Sequence, residues 1–503
     1  MDEKNKNRKM KIIIILCNIC FFFLLIGNAV FNVHYSTDDY QIFYSHGYPW
    51  YMAITSYRPI LATCYWILDL IHINVVKYQV FLGIVLLISF VFSTSKITFI
   101  IKDKIKTKNS LKNTIVVNLG TLFIYGNAFI SEWFYFTEAY IQWIIVTIFT
   151  ALAIECVFRE QKRIINYLLT LFCLIFIAGS YQVALIQYAV IVLFIILIEQ
   201  KKIKDIFREL VRTESLVAIA IGIILVCSKM LGYLKHYNTS EARINFSVGS
   251  IKTIFIQFIR VQYRIWIEAL GTLPKWILAV YLLIFSISFI WIRKKEKKKI
   301  FTFLIGSGLI CGLVEGMLCI IQIMQGFCWV PMRVCVPIFT IFSILIWNWV
   351  RIFEKISILY KKIFVGIWSV FLLINVWNIQ VNSLDIIKMN TLDRSSILSV
   401  EQMIENYERS TGNIIKKIGF CPDANMTVRY YAYQKNDTTS DIVRAFSRSW
   451  SDYSSINFYT GREYERVEVP SEIAKQFASK DWQSLQMNEQ MMFDGDTVYI
   501  AVY

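Results

Sequence analysis

Residues 12–30 of the chain read IIIILCNICFFFLLIGNAV, a run without a charged side chain. At a helical rise of about 1.5 Å per residue, such a run is long enough to cross the roughly 30 Å hydrocarbon core of a bilayer. The basic segment Lys4 to Lys11 precedes it, and the polar, aromatic segment FNVHYSTDDY follows at residues 31–40. Because no small-residue cleavage pattern follows Val30, the run predicts a membrane anchor rather than a signal peptide.

Apolar blocks of similar length recur along the 503 residues, which are 56% hydrophobic. They predict about eleven transmembrane helices, an all-α polytopic membrane bundle that occupies residues 1–381. The predicted spans are 12–30, 76–100, 113–131, 140–158, 164–180, 183–199, 216–234, 276–292, 300–324, 334–350 and 363–381. The stretch from Pro59 to Ile73 is nearly as apolar but carries Asp69 and His72, so we expect an interfacial helix there.

The basic residues predict the orientation of this bundle. More than half of the 52 Lys and Arg residues lie at 4–11, 96–112, 159–163, 201–212, 293–299 and 351–362. Loops rich in Lys and Arg stay in the cytoplasm. We therefore expect a cytoplasmic N-terminus and an extracytoplasmic C-terminus, and we attribute the net charge of +16 to this bias rather than to a nucleic-acid partner.

The composition changes after Val381, where charges appear every few residues. Helical periodicity over Thr391 to Ile415 and strand-like alternation over Thr497 to Tyr503 predict a small extracytoplasmic α/β domain at residues 382–503. Its aromatic residues could stack on sugar rings or simply form its core. They are Trp450, Tyr453, Phe458, Tyr459 and Tyr464. The eleven cysteines show no disulfide framework or zinc-binding spacing.

Acidic residues are the first candidates for chemistry in the predicted outer loops. Asp38 and Asp39 follow the first span, where they could bind a divalent cation, act as a general base, or cap the next helix. Glu132 and Glu138 flank an aromatic turn between two later spans. At another outer boundary, the polar groups of Tyr181 and Gln182 would face a wet cavity or mark a helix end.

Arginines are the second group of candidates. Arg58 precedes Pro59 at predicted headgroup depth, where its guanidinium could hold a lipid phosphate or serve as a headgroup anchor. Arg260 and Arg264 share one stripe of a predicted amphipathic helix, and Arg333 lies in a further outer turn. Such a helix could lie on the membrane surface with both guanidiniums aimed at a lipid phosphate, to which Arg333 would add a further cation. The alternative is a surface ion pair between Arg264 and Glu268, with headgroup contacts.

Carboxylates and arginines on an outer face suit a reaction on a lipid phosphate. Nucleotide-activated sugars are confined to the cytoplasm, so an outward-facing transferase must take its sugar from a membrane-borne carrier with a phosphate leaving group. Arginines stabilise the departing charge, and a carboxylate deprotonates the attacking hydroxyl.

The order of three short motifs resembles the bacterial GtrII glucosyl transferase family, whose members are similar to GT-C glycosyltransferases. The motifs are Asp38-Asp39-Tyr40, Tyr57-Arg58-Pro59 and Tyr181-Gln182, and the resemblance extends to about residue 400. It implies a GT-C-like fold, a base or cation-ligand role for the acidic pair, and a phosphate contact for Arg58. The chain departs from the family at Ile42 and Phe43, where members often have an arginine, and at Tyr57, where they often have a glycine.

The resemblance implies a hexosyltransferase in the cytoplasmic membrane of a bacterium. We expect it to move a glucose-like hexose from polyprenyl phosphate to a surface polysaccharide, teichoic acid or another lipid-linked glycan, with a partner enzyme and a flippase supplying the donor. A divalent cation is a possible cofactor. The alternatives are a transporter or flippase, for which Lys229 and Glu315 would be the main charges inside the membrane, and a polysaccharide polymerase.

Overall fold

The computed structural model describes residues 3–44, 48–105, 110–159, 164–199, 202–234, 248–266, 297–351, 357–421, 444–445, 448–480 and 486–501, with a few positions between 283 and 294. Its helices are Glu3–Phe31, Thr37–Tyr44, Tyr48–Thr55, Pro59–Leu70, Gln79–Ile105, Leu111–Leu122, Ser131–Tyr135, Tyr140–Val157, Ile164–Ala178, Ala184–Glu199, Ile203–Leu234, Val248–Trp266, Lys297–Gln325, Met332–Cys335, Phe339–Val350, Ile358–Thr411, Asp452–Thr460, Ser471–Ala478 and Met487–Gln490.

Seven helical segments of the described chain are long and apolar enough to cross a membrane. They are Asn5–Phe31, Gln79–Ile105, Thr137–Val157, Ile203–Leu234, Gly306–Met324, Met332–Val350 and Ile358–Thr411. The protein is therefore a helical membrane protein, and each of these segments overlaps one of the spans predicted from the sequence.

The other four predicted spans differ from these seven. Residues 164–180 and 183–199 form the shorter apolar helices Ile164–Ala178 and Ala184–Glu199, and 113–131 forms Leu111–Leu122 followed by short turns. Most of 276–292 lies outside the described residues. The total of eleven therefore stays a prediction.

Buried polar contacts join the spans inside the bundle. Asn18 on the first helix donates to Ser95 Oγ at 2.9 Å and accepts from Asn118 Nδ2 at 2.7 Å. Thr98 Oγ1 donates to Asn118 Oδ1 at 2.9 Å. Side-chain hydrogen bonds between helices fix their register where no water competes.

Segments that the sequence predicts for the same side of the membrane gather at the same end of the bundle. At the basic end, Lys104 Nζ lies 2.7 Å from Glu199 Oε1, and Lys96 Nζ lies 2.8 Å from Glu155 Oε2. At the other end, Tyr35 N–H donates to Asn390 Oδ1 at 2.6 Å. The polar loops with the candidate residues gather at this second end, which we call the loop end.

A single 54-residue helix, Ile358–Thr411, links the bundle to the C-terminal domain, and we call it the long helix. At 1.5 Å per residue it is about 80 Å long. Trp368 packs in the bundle, whereas Ile397, Val400 and Ile404 are buried in the core of the C-terminal domain. The domain boundary predicted at 381/382 falls inside this helix, so the helix belongs to both units.

The C-terminal domain carries a four-stranded mixed sheet in the order β2-β1-β4-β3. Its strands are β1 (Lys417–Cys421), β2 (Glu465–Arg466), β3 (Met491–Asp494) and β4 (Thr497–Ala501). Strand β1 runs parallel to β2 and β4, and β3 pairs antiparallel with β4. The strand expected at Thr497 and the helix expected from Thr391 are both present.

The aromatic residues of this domain divide between its core and its contact with the bundle. Tyr453, Tyr459 and Tyr464 pack against the core of the domain. Phe458 instead packs on the rings of Tyr35 and Tyr40, with centroids 4.7 and 5.4 Å apart. The Tyr40 and Tyr459 hydroxyls are 3.0 Å apart. The domain therefore sits directly on the segment that carries the acidic pair.

Candidate functional site

A cavity of about 510 Å³ opens at the loop end of the bundle. Several separate parts of the chain line it: residues 37–42 and 49–65, residues 136–143, Tyr181, the turn at 329–333, and residues 448–450 of the C-terminal domain. Its charged lining residues are Asp38, Arg58, Glu138, Arg333 and Arg448. The fold thus gathers, from distant positions, both the acidic and the cationic candidates.

Asp39 caps the helix Thr37–Tyr44, which we call the acidic helix. Its backbone N–H donates to Ser36 Oγ at 3.2 Å, and its Oδ2 accepts from Ser36 N–H at 2.7 Å. This reciprocal pair is a capping box. Its Oδ1 accepts from Thr137 Oγ1 at 2.8 Å and from Glu138 N–H at 3.1 Å. Asp39 is completely buried, and this burial raises its pKa while the hydrogen bonds to Ser36 and Thr137 oppose the rise.

Asp38 faces the cavity, unlike its neighbour. Successive residues of a helix point about 100° apart, so the cap geometry that turns Asp39 inward leaves Asp38 on the open side. Asp38 is only half-buried. Of the two adjacent acids, Asp38 is therefore the one positioned to meet a substrate.

Glu138 lies on the wall of the cavity, next to the acidic helix. Ser36 Oγ donates to Glu138 Oε2 at 3.4 Å. Burial, together with the negative charges of Asp39 and Asp38, raises the pKa of the Glu138 carboxyl well above its usual value. The surroundings of Glu138 therefore favour its neutral form more than those of an exposed glutamate would.

The backbone around Arg58 is tightly fixed. Tyr57 adopts a left-handed conformation with φ of 57°, which is costly for a residue with a side chain. Gln182 Nε2 donates to Tyr57 O at 2.8 Å, and Ile60 N–H donates to Gly179 O at 3.1 Å. A Cβ atom on Gly179 would collide with Ile60, so this close approach requires glycine.

The Arg58 guanidinium is aimed into the cavity by two side chains. Its Nη1 donates to Gln142 Oε1 at 2.9 Å, and the group lies 5.1 Å from the centroid of the Tyr181 ring. Burial raises the pKa of Tyr181 to about 12, so the phenol stays neutral. Tyr181, expected to face a wet cavity or mark a helix end, thus lines the cavity and orients this arginine, whereas Gln182 is not among the lining residues and holds the preceding carbonyl of Tyr57.

Arg333 is held from behind by a buried carboxylate. Its Nη1 and its backbone N–H donate to Glu132 Oε2 at 3.0 and 3.1 Å, and Glu132 is completely buried. The guanidinium lies between the rings of Phe136 and Trp329, 5.0 and 4.8 Å from their centroids. Glu132 therefore orients Arg333 instead of lining the cavity.

Arg260 and Arg264 do not line this cavity. They lie on the helix Val248–Trp266, which packs against Lys297–Gln325, and Arg260 is exposed. Trp266 of this helix donates to Glu315 Oε1 at 2.9 Å. The two arginines share a helical stripe as expected, but the structure places Arg58 and Arg333 together without them.

Arg448 and Trp450 line the cavity and were not singled out as a site from the sequence. The Arg448 guanidinium lies 5.3 Å from the centroid of the Trp450 ring. Trp450 is one of the aromatic residues of the C-terminal domain for which the sequence predicts either stacking on sugar rings or a place in the core. The segment Arg448-Ser449-Trp450 combines a cation with an aromatic ring, which is typical of a binding site. It is far in sequence from the predicted outer loops, so no local pattern gave a reason to place it in the same site.

The acidic pair does not fit a metal site. Both Asp39 oxygens accept hydrogen bonds from the protein, and Asp38 points away from them. Within the ranges that the structure describes, no group of three or more His, Cys, Asp or Glu side chains is arranged to hold a metal ion. The chemistry considered below therefore uses the side chains alone.

Comparison with protein-family models, with curated proteins and with solved structures gives no match for this chain. The geometry of the cavity is therefore the basis for the function proposed below.

Proposed function

We propose that this protein is a membrane glycosyltransferase that moves a hexose from polyprenyl phosphate to a cell-surface glycan. The observation that carries the proposal is the placement of Asp38 in one cavity with Arg58 and Arg333. A carboxylate and two guanidiniums are the groups needed to activate a hydroxyl and to hold a departing phosphate. The resemblance of the three motifs to the GtrII family supports the same reaction.

In the proposed reaction, a hydroxyl oxygen of the acceptor attacks the anomeric carbon of the donor sugar. The bond between that carbon and the phosphate oxygen breaks, and polyprenyl phosphate leaves with the electron pair. Asp38 takes the hydroxyl proton, a contribution of roughly 10² to 10⁴ in rate. Arg58 and Arg333 hold the phosphate as its charge increases.

The fixed geometry of the arginines supports a phosphate-binding role over simple headgroup anchoring. A headgroup anchor needs only reach and charge, and a flexible side chain is sufficient. Arg58 and Arg333 are instead held by Gln142, Tyr181, Glu132 and flanking rings before any ligand binds. Such preorganisation reduces the cost of binding an anion.

The positions of the charges favour an enzyme over a transporter. A transporter is expected to place paired charges near the middle of the membrane. Lys229 is exposed on its helix, and Glu315 accepts a hydrogen bond from Trp266. The charged lining residues gather instead at the loop end, which we propose faces the outside of a bacterial cytoplasmic membrane. A partner enzyme and a flippase would deliver the lipid donor to that side.

A transfer assay in liposomes tests the proposal. Purified protein is given radiolabelled polyprenyl phosphate glucose, and the release of polyprenyl phosphate is measured with and without teichoic acid or another surface glycan. Arg58→Lys and Arg333→Lys should weaken donor use strongly, because an ammonium cannot reproduce a forked pair of hydrogen bonds. Arg260→Lys and Arg264→Lys are matched controls and should behave as the wild type.

The same assay separates the alternatives. Wild-type protein that releases no polyprenyl phosphate with any acceptor would remove the transferase proposal. Equal donor use by all four Lys variants would leave the arginines as headgroup anchors. A loss of transfer with a chelator, restored by Mn²⁺, would return the acidic residues to a cation-binding role.

A further inference from the structure

Arg448, Ser449 and Trp450 form a short arm that extends from the C-terminal domain to the cavity. Arg448 and Trp450 line it, whereas the other lining residues all belong to the membrane bundle and its loops. Trp450 keeps 41% of its surface exposed, so its ring is accessible to a ligand. The cavity therefore has one edge that comes from the soluble domain.

The arm is anchored to the long helix by a buried ion pair. Arg444 Nε donates to Asp393 Oδ1 at 2.8 Å, and Ala445 N–H donates to Asp393 Oδ2 at 2.9 Å. Arg444 and Asp393 are 5% and 0% exposed. Ser451 Oγ donates to Ala445 O at 2.6 Å, and Asp452 N–H donates to Arg448 O at 2.8 Å. These contacts hold the residues that precede and follow the arm in the sequence.

The anchor places the arm on the side of the cavity that faces away from the membrane. The long helix contacts the bundle end as far as Asn390, whose Nδ2 donates to Tyr35 O at 2.9 Å, beyond the end of the first membrane helix at Phe31. Asp393 follows less than one helical turn later. A lipid-linked donor is tethered at membrane depth, whereas a glycan acceptor approaches from the water.

We infer that the arm is the acceptor-binding edge of the cavity, and that the acceptor is a glycan carrying an anionic group, phosphate or carboxylate. Trp450 stacks on a sugar ring of the acceptor, and Arg448 pairs with the anionic group beside it. The inference rests on the proposed function, because it assigns a second substrate to the same cavity. It also gives the C-terminal domain a direct role in choosing that substrate.

Kinetics with the donor held at saturation test this role in the full-length protein. With teichoic acid as the acceptor, Trp450→Ala and Arg448→Ala should each raise the acceptor KM by about tenfold. The donor KM should not change. Trp450→Phe keeps an aromatic face and should retain most of the wild-type KM. Arg409→Ala is the control, since Arg409 lies in the same domain and forms an ion pair with Glu405 on the surface, away from the cavity lining.

A neutral glucan as a second acceptor tests whether Arg448 recognises an anionic group on the acceptor. Arg448→Ala should raise the KM for teichoic acid much more than the KM for the glucan. If Trp450→Ala and Arg448→Ala have the same acceptor KM as Arg409→Ala, the inference is overturned and the proposed function stands. If these two variants raise only the donor KM, the arm binds the donor, and the inference is overturned as well. A wild type without transfer to either acceptor would overturn both proposals.

Discussion

Asp38 and Asp39 are neighbours in sequence with the same side chain, yet they have different environments. Asp39 is buried with three donors around its two oxygens, whereas Asp38 is half-buried at the edge of the cavity. A carboxylate whose oxygens are all bound by the protein contributes to the fold, and one at the edge of a cavity can exchange protons with a substrate. Of the three roles considered for the pair, Asp39 takes that of the helix cap, and the base role stays a proposal for Asp38.

The first prediction separates these roles. Asp38→Asn should leave the unfolding temperature near that of the wild type and lower transfer by about 10², the scale expected for loss of a general base. Asp39→Asn should lower the unfolding temperature, because an amide cannot accept all the hydrogen bonds that the carboxylate accepts. Thermal unfolding in detergent and the transfer assay measure the two effects. Full activity of Asp38→Asn would exclude it as the base.

The second prediction concerns the left-handed backbone at Tyr57, where φ is 57°. Tyr57→Gly and Tyr57→Ala both remove the ring, but only glycine adopts this conformation without a steric penalty. The glycine variant should therefore be more stable than the alanine variant by about 1 kcal/mol. Denaturant or thermal unfolding of the matched pair measures this difference. Equal stability of the two variants would show that the backbone relaxes at this position.

Among the elements, the long helix has the widest role in the fold. It packs in the bundle at one end, contributes Ile397, Val400 and Ile404 to the core of the C-terminal domain, and holds the arm through Asp393. A continuous helix is stiff over this distance. The position of Arg448 and Trp450 relative to Asp38 therefore depends on this element and on the contact of Phe458 and Tyr459 with Tyr35 and Tyr40.

The third prediction tests the anchor on that helix. Asp393→Ala leaves the buried Arg444 without its partner, which should cost about 3 kcal/mol of local stability. Hydrogen exchange of the amides in residues 448–460 should become faster, and the acceptor KM should rise while the donor KM is unchanged. Ser395→Ala, at an exposed position of the same helix, is the matched control. Unchanged exchange in Asp393→Ala would show that the arm is held by other contacts.

At the scale of the whole molecule, the loops form two groups at opposite ends. Lys104 meets Glu199 at one end, and Arg58, Arg333 and the arm share a cavity at the other. This grouping follows the alternation of basic and polar loops along the sequence. The excess of Lys and Arg predicts that the first end faces the cytoplasm.

The fourth prediction tests this orientation at the two ends of the long helix. Ser357 and Ser410 are both exposed, and about 80 Å of helix separates them. In a background from which the eleven free cysteines have been removed, Ser410→Cys should react with an impermeant maleimide on intact cells. Ser357→Cys should react only after the cells are opened. The reverse pattern would place the cavity in the cytoplasm and end the argument for a lipid-linked donor.

The sequence by itself determined the membrane class, seven of the spans, the strand at Thr497 and the candidates Asp38, Arg58, Glu138 and Arg333. These follow from hydropathy, periodicity and charge, which are local properties of the chain. Only the tertiary structure decided that Asp39 and Glu132 are buried behind the cavity, that Arg260 and Arg264 lie away from it, and that Arg448 and Trp450 line it. Such placements depend on contacts between residues far apart in sequence, and local patterns of side chains carry no information about those contacts.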